Sequence, residues 1–112
     1  MGVVPGPKEG RSARSWTFVT SHLVVLLCIA EDPSMRISDV AARAGLTERA
    51  VQGIVADLVE AGYLTRTRVG RRNLYEIKRD MPLRHLETQH RRLGELLAVL
   101  ASDGEASARR VR

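Results

Sequence analysis

Four arginines, Arg66, Arg68, Arg71 and Arg72, stand around a single glycine, Gly70, in the stretch TRTRVGRRNLYEIKRD from Thr65 to Asp80. A guanidinium is planar, permanently charged and forked, which suits it to gripping phosphate and carboxylate oxygens. From Gly62 to Arg79 there are six basic side chains against Glu76 alone, a net +5 that equals the formal charge of the whole 112-residue chain. The other 12 basic and 12 acidic residues cancel. The excess is therefore local, and a local cationic patch points to a polyanionic partner.

Other chemistry is sparse. Cys28 is the one cysteine, the three histidines (His22, His85 and His90) are scattered, and no nucleophile stands beside a base or a glycine loop that could cradle phosphate. No enzyme and no cofactor are expected. His85 and His90 are five residues apart, about 140° around a helix, so they cannot ligate one metal ion from the same face. Cys28 lies among Leu26, Leu27, Ile29 and Ala30 and reads either as a small core hydrophobe or as a redox sensor, the latter needing exposure and a positive neighbour.

These residues need a scaffold. At 44% hydrophobic content the chain suits one small domain. Its longest apolar run, LVVLLCIA at Leu23 to Ala30, falls short of the roughly 18 residues of a membrane span, and there is no signal-peptide pattern. A cytoplasmic protein with no membrane partner is expected, and a lone cysteine fits a reducing compartment. Residues 1–14 and 102–112 mix Pro, Gly, Ser and charge without apolar periodicity and read as flexible tails, with Arg11 and Arg14 either a minor-groove arm or part of a solubilising tail.

Between the tails, Ser15 is the expected cap of a first helix carrying Trp16, Val19, Leu23, Leu26, Leu27 and Ala30, whose second half is apolar all round and must be covered on several sides. Then comes SDVAARAGLTERAVQGIVADLVEAGYL, which predicts two helices and a tight turn. Ser38 caps the first, Gly45 closes it in the left-handed conformation, and Thr47 caps the second. Val51, Ile54, Val55 and Leu58 form the core face of that second helix, leaving Thr47, Glu48, Arg49, Gln52, Gly53 and Ala56 on the other. Tyr63 to Arg68 and Asn73 to Lys78 alternate with period 2 about the glycine turn and predict a hairpin, with Leu64, Tyr75 and Ile77 inward and the arginines at tip and edge.

The ordered combination DVAARAGLTERAVQGIVADLVEAGYLTRTRVGRRNLYEI resembles the winged helix-turn-helix of bacterial transcription regulators of the ArsR and MarR type, over about Trp16 to Leu100. The resemblance implies a homodimer with Thr47 to Ala61 as recognition helix and Thr67 to Asn73 as wing tip. A repressor role rests on the same resemblance. The segment DVAARA, where ArsR-type metal sensors carry a cysteine motif, has no thiol. The chain is also shorter than the MarR pattern with its additional dimer helices and intervening cleft, so the small-molecule effector stays unknown.

The residue types suit that assignment. Arg49 can bridge guanine O6 and N7, and Gln52 can pair with adenine N6 and N7. Thr47 is placed for a phosphate, and Glu48 either accepts from cytosine N4 or favours the helix dipole. Arg66, Arg68, Arg71, Arg72 and Asn73 of the wing would grip phosphates or the minor groove. The charged hairpin could also simply protect edge strands.

After Pro82, the residues Leu83, Leu86, His90, Leu93, Leu97 and Leu100 are spaced 3, 4, 3, 4 and 3, a narrow heptad seam. It predicts a dimerisation helix over 81–101, with His90 either setting register or titrating against its symmetry mate, and with Gly94 loosening the helix by about 1 kcal/mol. The expected fold is mainly α with a small β-hairpin wing: a winged helix-turn-helix domain over 15–80 and a C-terminal dimerisation helix. The function it supports is sequence-specific binding of double-stranded DNA by a homodimeric transcriptional regulator. The alternative is a winged-helix module that binds another protein, which should expose apolar anchors where this chain has Thr, Glu, Arg and Gln.

Overall fold

The computed structural model describes residues 16–101. The expected tails, the Ser15 cap and Arg11 and Arg14 lie outside the described residues. In chain order the elements are α1 (Ser21–Glu31), α2 (Ile37–Ala44), α3 (Glu48–Glu60), β1 (Leu64–Val69), β2 (Arg72–Ile77) and α4 (Leu93–Ala101). None of these helices is long and apolar enough to cross a membrane.

The apolar run of α1 is the hub. Val25, Leu26, Cys28 and Ile29 are buried, and α2, α3, α4 and β2 all pack against the helix, which is how a segment apolar all round is covered within one chain. Val51, Ile54, Val55 and Leu58 of α3 face it, and Leu64 and Tyr75 close the core from the hairpin. The two strands pair antiparallel from Leu64↔Ile77 to Val69↔Arg72, so the loop is only Gly70 and Arg71. Gly70 takes φ 64°, the positive value that a two-residue hairpin turn needs at its first position.

Three helix boundaries differ from expectation. α1 starts at Ser21 because Thr20, not Ser15, caps it: the Thr20 hydroxyl accepts from the Leu23 amide at 3.2 Å, leaving Trp16 to Val19 outside the helix. α2 starts at Ile37, so Ser38 lies inside it, and its N-cap Arg36 makes no side-chain capping bond. The third correction is the largest. Residues 83–92 form a closed loop rather than part of a helix over 81–101: the Leu83 amide donates to the Arg91 carbonyl at 2.9 Å, Pro82 bridges Arg92, and successive turns run His85 to Thr88 and Thr88 to Arg91.

The predicted heptad seam therefore does not lie on one helix. Leu93 and Leu97 are 3% and 1% exposed in the chain's own core, and Leu83 is half-buried against the same core. Leu86 and His90 sit exposed on the loop, and only Leu100 keeps an outward position on α4. Breaking the chain at 84–92 lets Leu83, Leu93 and Leu97 all reach one core, which a straight helix would have left for a partner. Residues 81–101 accordingly pack onto the winged helix-turn-helix core.

Candidate nucleic-acid interface

The α2–turn–α3 unit is fixed by local chemistry. Gly45 takes φ 71° and ends α2, and the Leu46 amide returns to the Ala41 carbonyl at 2.9 Å. The Thr47 hydroxyl then accepts from the Ala50 amide at 3.0 Å, setting the first turn of α3. With the apolar face of α3 buried, Thr47, Glu48, Arg49 and Gln52 are left exposed on its N-terminal half. Gly53 follows them with nothing within 4 Å of a built Cβ, so the surface there is open and bare.

The wing is held at its base and along β2. The Lys78 amide donates to the Tyr63 carbonyl at 2.8 Å, and the Tyr75 amide donates to the Pro33 carbonyl at 3.0 Å, so the α1–α2 loop runs along the outer edge of β2. Arg72 reinforces this contact by donating to the Ser34 carbonyl. By strand alternation Arg66 and Arg68 share a face with Leu64, in the part of the hairpin that overhangs the core. Arg68 Nε donates to the Gly70 carbonyl at 3.0 Å, stiffening the tip.

Arg66, Arg68, Arg71 and Arg72 are exposed and Asn73 is half-buried. Among the described residues the ion pairs are His22–Asp57, Arg43–Glu31, Lys78–Glu76 and Arg91–Glu95, and none involves Arg49 or a wing arginine. A solvated loop that only guards an edge would gain from mixed signs; this surface keeps one sign uncompensated.

Comparison with known proteins gives a family match in the same region. The family model "MarR family" matches residues 19–72, which takes in α1, the helix–turn–helix and the first strand and turn of the wing. The chain is a winged-helix DNA-binding transcription regulator that resembles the MarR family over those residues. Among solved structures it is similar in fold to the PcaV transcriptional regulator from Streptomyces coelicolor, determined in complex with its natural ligand: the TM-score is 0.50 at 23% identity, over 87% of this chain and 76% of that one. No curated protein sequence matches the chain. In this fold α3 is the second helix of the helix–turn–helix and the hairpin is its wing.

Two features of this winged-helix domain were not visible in the sequence. Cys28 does have a cationic neighbour, Arg43 from α2, whose Nη1 lies 2.6 Å from Glu31 Oε1. Burial still dominates and pushes the thiol above its usual range, against the weaker lowering by Arg43, so Cys28 behaves as a core residue. The second is a groove of about 840 Å³ between Phe18, α1, the end of α3 and the segment 83–96. Its floor is apolar, and His22 on α1 meets Asp57 of α3 at its edge, Nε2 to Oδ2 2.8 Å. Among the described residues no group of three or more His, Cys, Asp and Glu side chains could hold a metal ion.

Proposed function

We propose that the chain is a homodimeric, sequence-specific repressor that lays the N-terminal half of α3 in the major groove and its wing on the flanking phosphates or minor groove. The observation that carries this reading is the pairing of an exposed Thr47, Glu48, Arg49 and Gln52 face on α3 with wing arginines that no carboxylate neutralises among the described residues. Arg49 and Gln52 supply base readout, each worth about 1 to 3 kcal/mol of discrimination. Arg66, Arg68 and Arg71 supply affinity through phosphates. A protein-binding module would instead present apolar anchors on that face.

The dimer surface in this reading is apolar and lies on the N- and C-terminal segments. Trp16 and Phe18, packed edge to face with centroids 4.9 Å apart, are 68% and 93% exposed, and Leu86 on the closed loop is 74% exposed. Phe18 and Leu83 line the same groove, so these segments flank one another. Phe18→Glu with Leu86→Glu should give a folded monomer by sedimentation.

Selection from random duplexes tests the DNA reading. A palindromic winner should bind with log K falling against log salt at a slope of about −4 to −7, if four to eight arginine contacts form per dimer. Arg66→Ala with Arg71→Ala should flatten that slope, and Arg49→Ala should relax base preference at one position. Repression is tested by a reporter placed behind the selected site. No enriched sequence and a weak salt dependence would refute the reading.

A further inference from the structure

Arg36 falls in no motif of the sequence, yet the fold sets it against the wing. The loop before α2 and the tip half of the hairpin, from the turn into β2, enclose a cleft of about 450 Å³, lined by Ser34, Arg36, Ile37, Arg71, Arg72 and Asn73 among others. Three guanidinium-bearing residues and no carboxylate line it. Arg72 spans its two walls by donating to the Ser34 carbonyl, which uses one of five N–H donors and leaves the rest available. Arg36 and Arg71 are exposed, and neither has a carboxylate partner among the described residues.

The wall opposite the wing is the start of α2. The amides of Asp39 and Val40 both return to the Arg36 carbonyl at 3.0 Å, while no side chain caps the helix. A cationic side chain at an N-cap is the wrong sign for the helix dipole. The arrangement becomes favourable when an anion sits between them. In a helix-turn-helix the first helix crosses the DNA backbone, which brings a phosphate to this end of α2.

We propose that this cleft seats one backbone phosphate of bound DNA between Arg36 and Arg71, with Arg72 holding the two walls together. The proposal rests on the DNA-binding reading above and adds a phosphate contact between the recognition helix and the wing tip. Its ligand is a phosphodiester, so Arg36 contributes affinity and register without reading bases.

The test is binding of the full chain to its selected duplex across a salt series, with wild type, Arg36→Ala and Arg36→Asp. Arg36→Ala should lower affinity about tenfold at low salt, make the slope shallower by about 0.9 per bound protomer, and leave base preference unchanged. Arg36→Asp should raise the melting temperature, because a carboxylate caps α2, and weaken binding further, which shows that the loss of binding is not a loss of folding. An Arg36→Ala slope equal to wild type would overturn the proposal while leaving the DNA reading intact, whereas a wild-type chain that binds no duplex would overturn both. Inorganic phosphate at matched ionic strength supplies the last arm: if it stabilises wild type but not Arg36→Ala, and the DNA slope is unchanged, the cleft serves a free anion and the proposal fails.

Discussion

Two glycines in helices should respond to alanine with opposite signs. Gly94, in the first turn of α4, donates its amide to the Arg79 carbonyl at 2.8 Å, and a Cβ built on it would lie 2.9 Å from Arg79 Cβ and 3.0 Å from that carbonyl oxygen. Neither neighbour is the end of a flexible side chain. Gly94→Ala must push α4 away from the segment that returns from the wing, straining the Leu93–Met81 bond of 2.8 Å and the seating of Leu93 and Leu97. Overpacking of this kind costs about 1 to 3 kcal/mol, against a helix-propensity gain of at most about 1 kcal/mol. The net is a loss of about 1 kcal/mol, or a fall in melting temperature of roughly 4 to 8 °C. Gly53, mid-way along α3 with nothing within 4 Å, carries no such contact, so Gly53→Ala should gain up to about 1 kcal/mol. Urea titrations of the two variants read the signs directly. If Gly94→Ala raised the midpoint as Gly53→Ala does, the close docking of α4 on Arg79 would be refuted.

Four further outcomes follow from the same geometry. Leu97→Ala should cost about 2 to 5 kcal/mol in chemical denaturation, because the side chain fills the chain's own core rather than a subunit seam. Thr47→Ala removes the cap on α3 and should cost about 1 kcal/mol, with DNA affinity falling beyond what the lost stability explains. Cys28, 5% exposed with its thiol pushed up by burial, should react with a disulfide reagent only as fast as the domain opens, and rapidly in denaturant. Tyr63→Phe removes the hydroxyl that donates to the Pro82 carbonyl at 2.6 Å; a loss of about 1 kcal/mol and weaker amide protection around Pro82 should show by hydrogen exchange.

The parts of this fold legible in the sequence are those written in backbone chemistry. Gly45, Gly62 and Gly70 all take positive φ, and Thr47 caps its helix, so the order helix, turn, helix, hairpin could be read from residues whose roles are nearly unique. The start of α1 was less determinate, since Ser15 and Thr20 are both capping residue types. The leucines after Pro82 misled for a physical reason: spacing of 3 and 4 reports that one stripe is apolar, not which surface covers it. Arg36 was invisible because its partners in the cleft lie 35 residues onward, and the bonds from Tyr75 to Pro33 and from Arg72 to Ser34 bring the two segments together.

The C-terminal segment acts on the wing as well as on the core. β2 ends at Ile77, and each of the next five residues is tied elsewhere: Lys78 to Tyr63, Arg79 to Gly94, Asp80 to the Arg92 side chain, Met81 to Leu93 and Pro82 to the Tyr63 hydroxyl. Two of these bonds come from the first turn of α4, whose other contacts are Leu93 and Leu97 in the core beneath α1. A shift of α4 or of the closed loop must therefore either break amide bonds or carry the root of the wing with it. Because the proposed dimer surface includes Leu86 on that loop, subunit association and wing position draw on the same set of contacts. Besides its core packing and its direct run into β1, α3 meets α1 through Asp57 and His22 at the groove, so movement of the N-terminal segment there would reach α3 as well as the root of the wing.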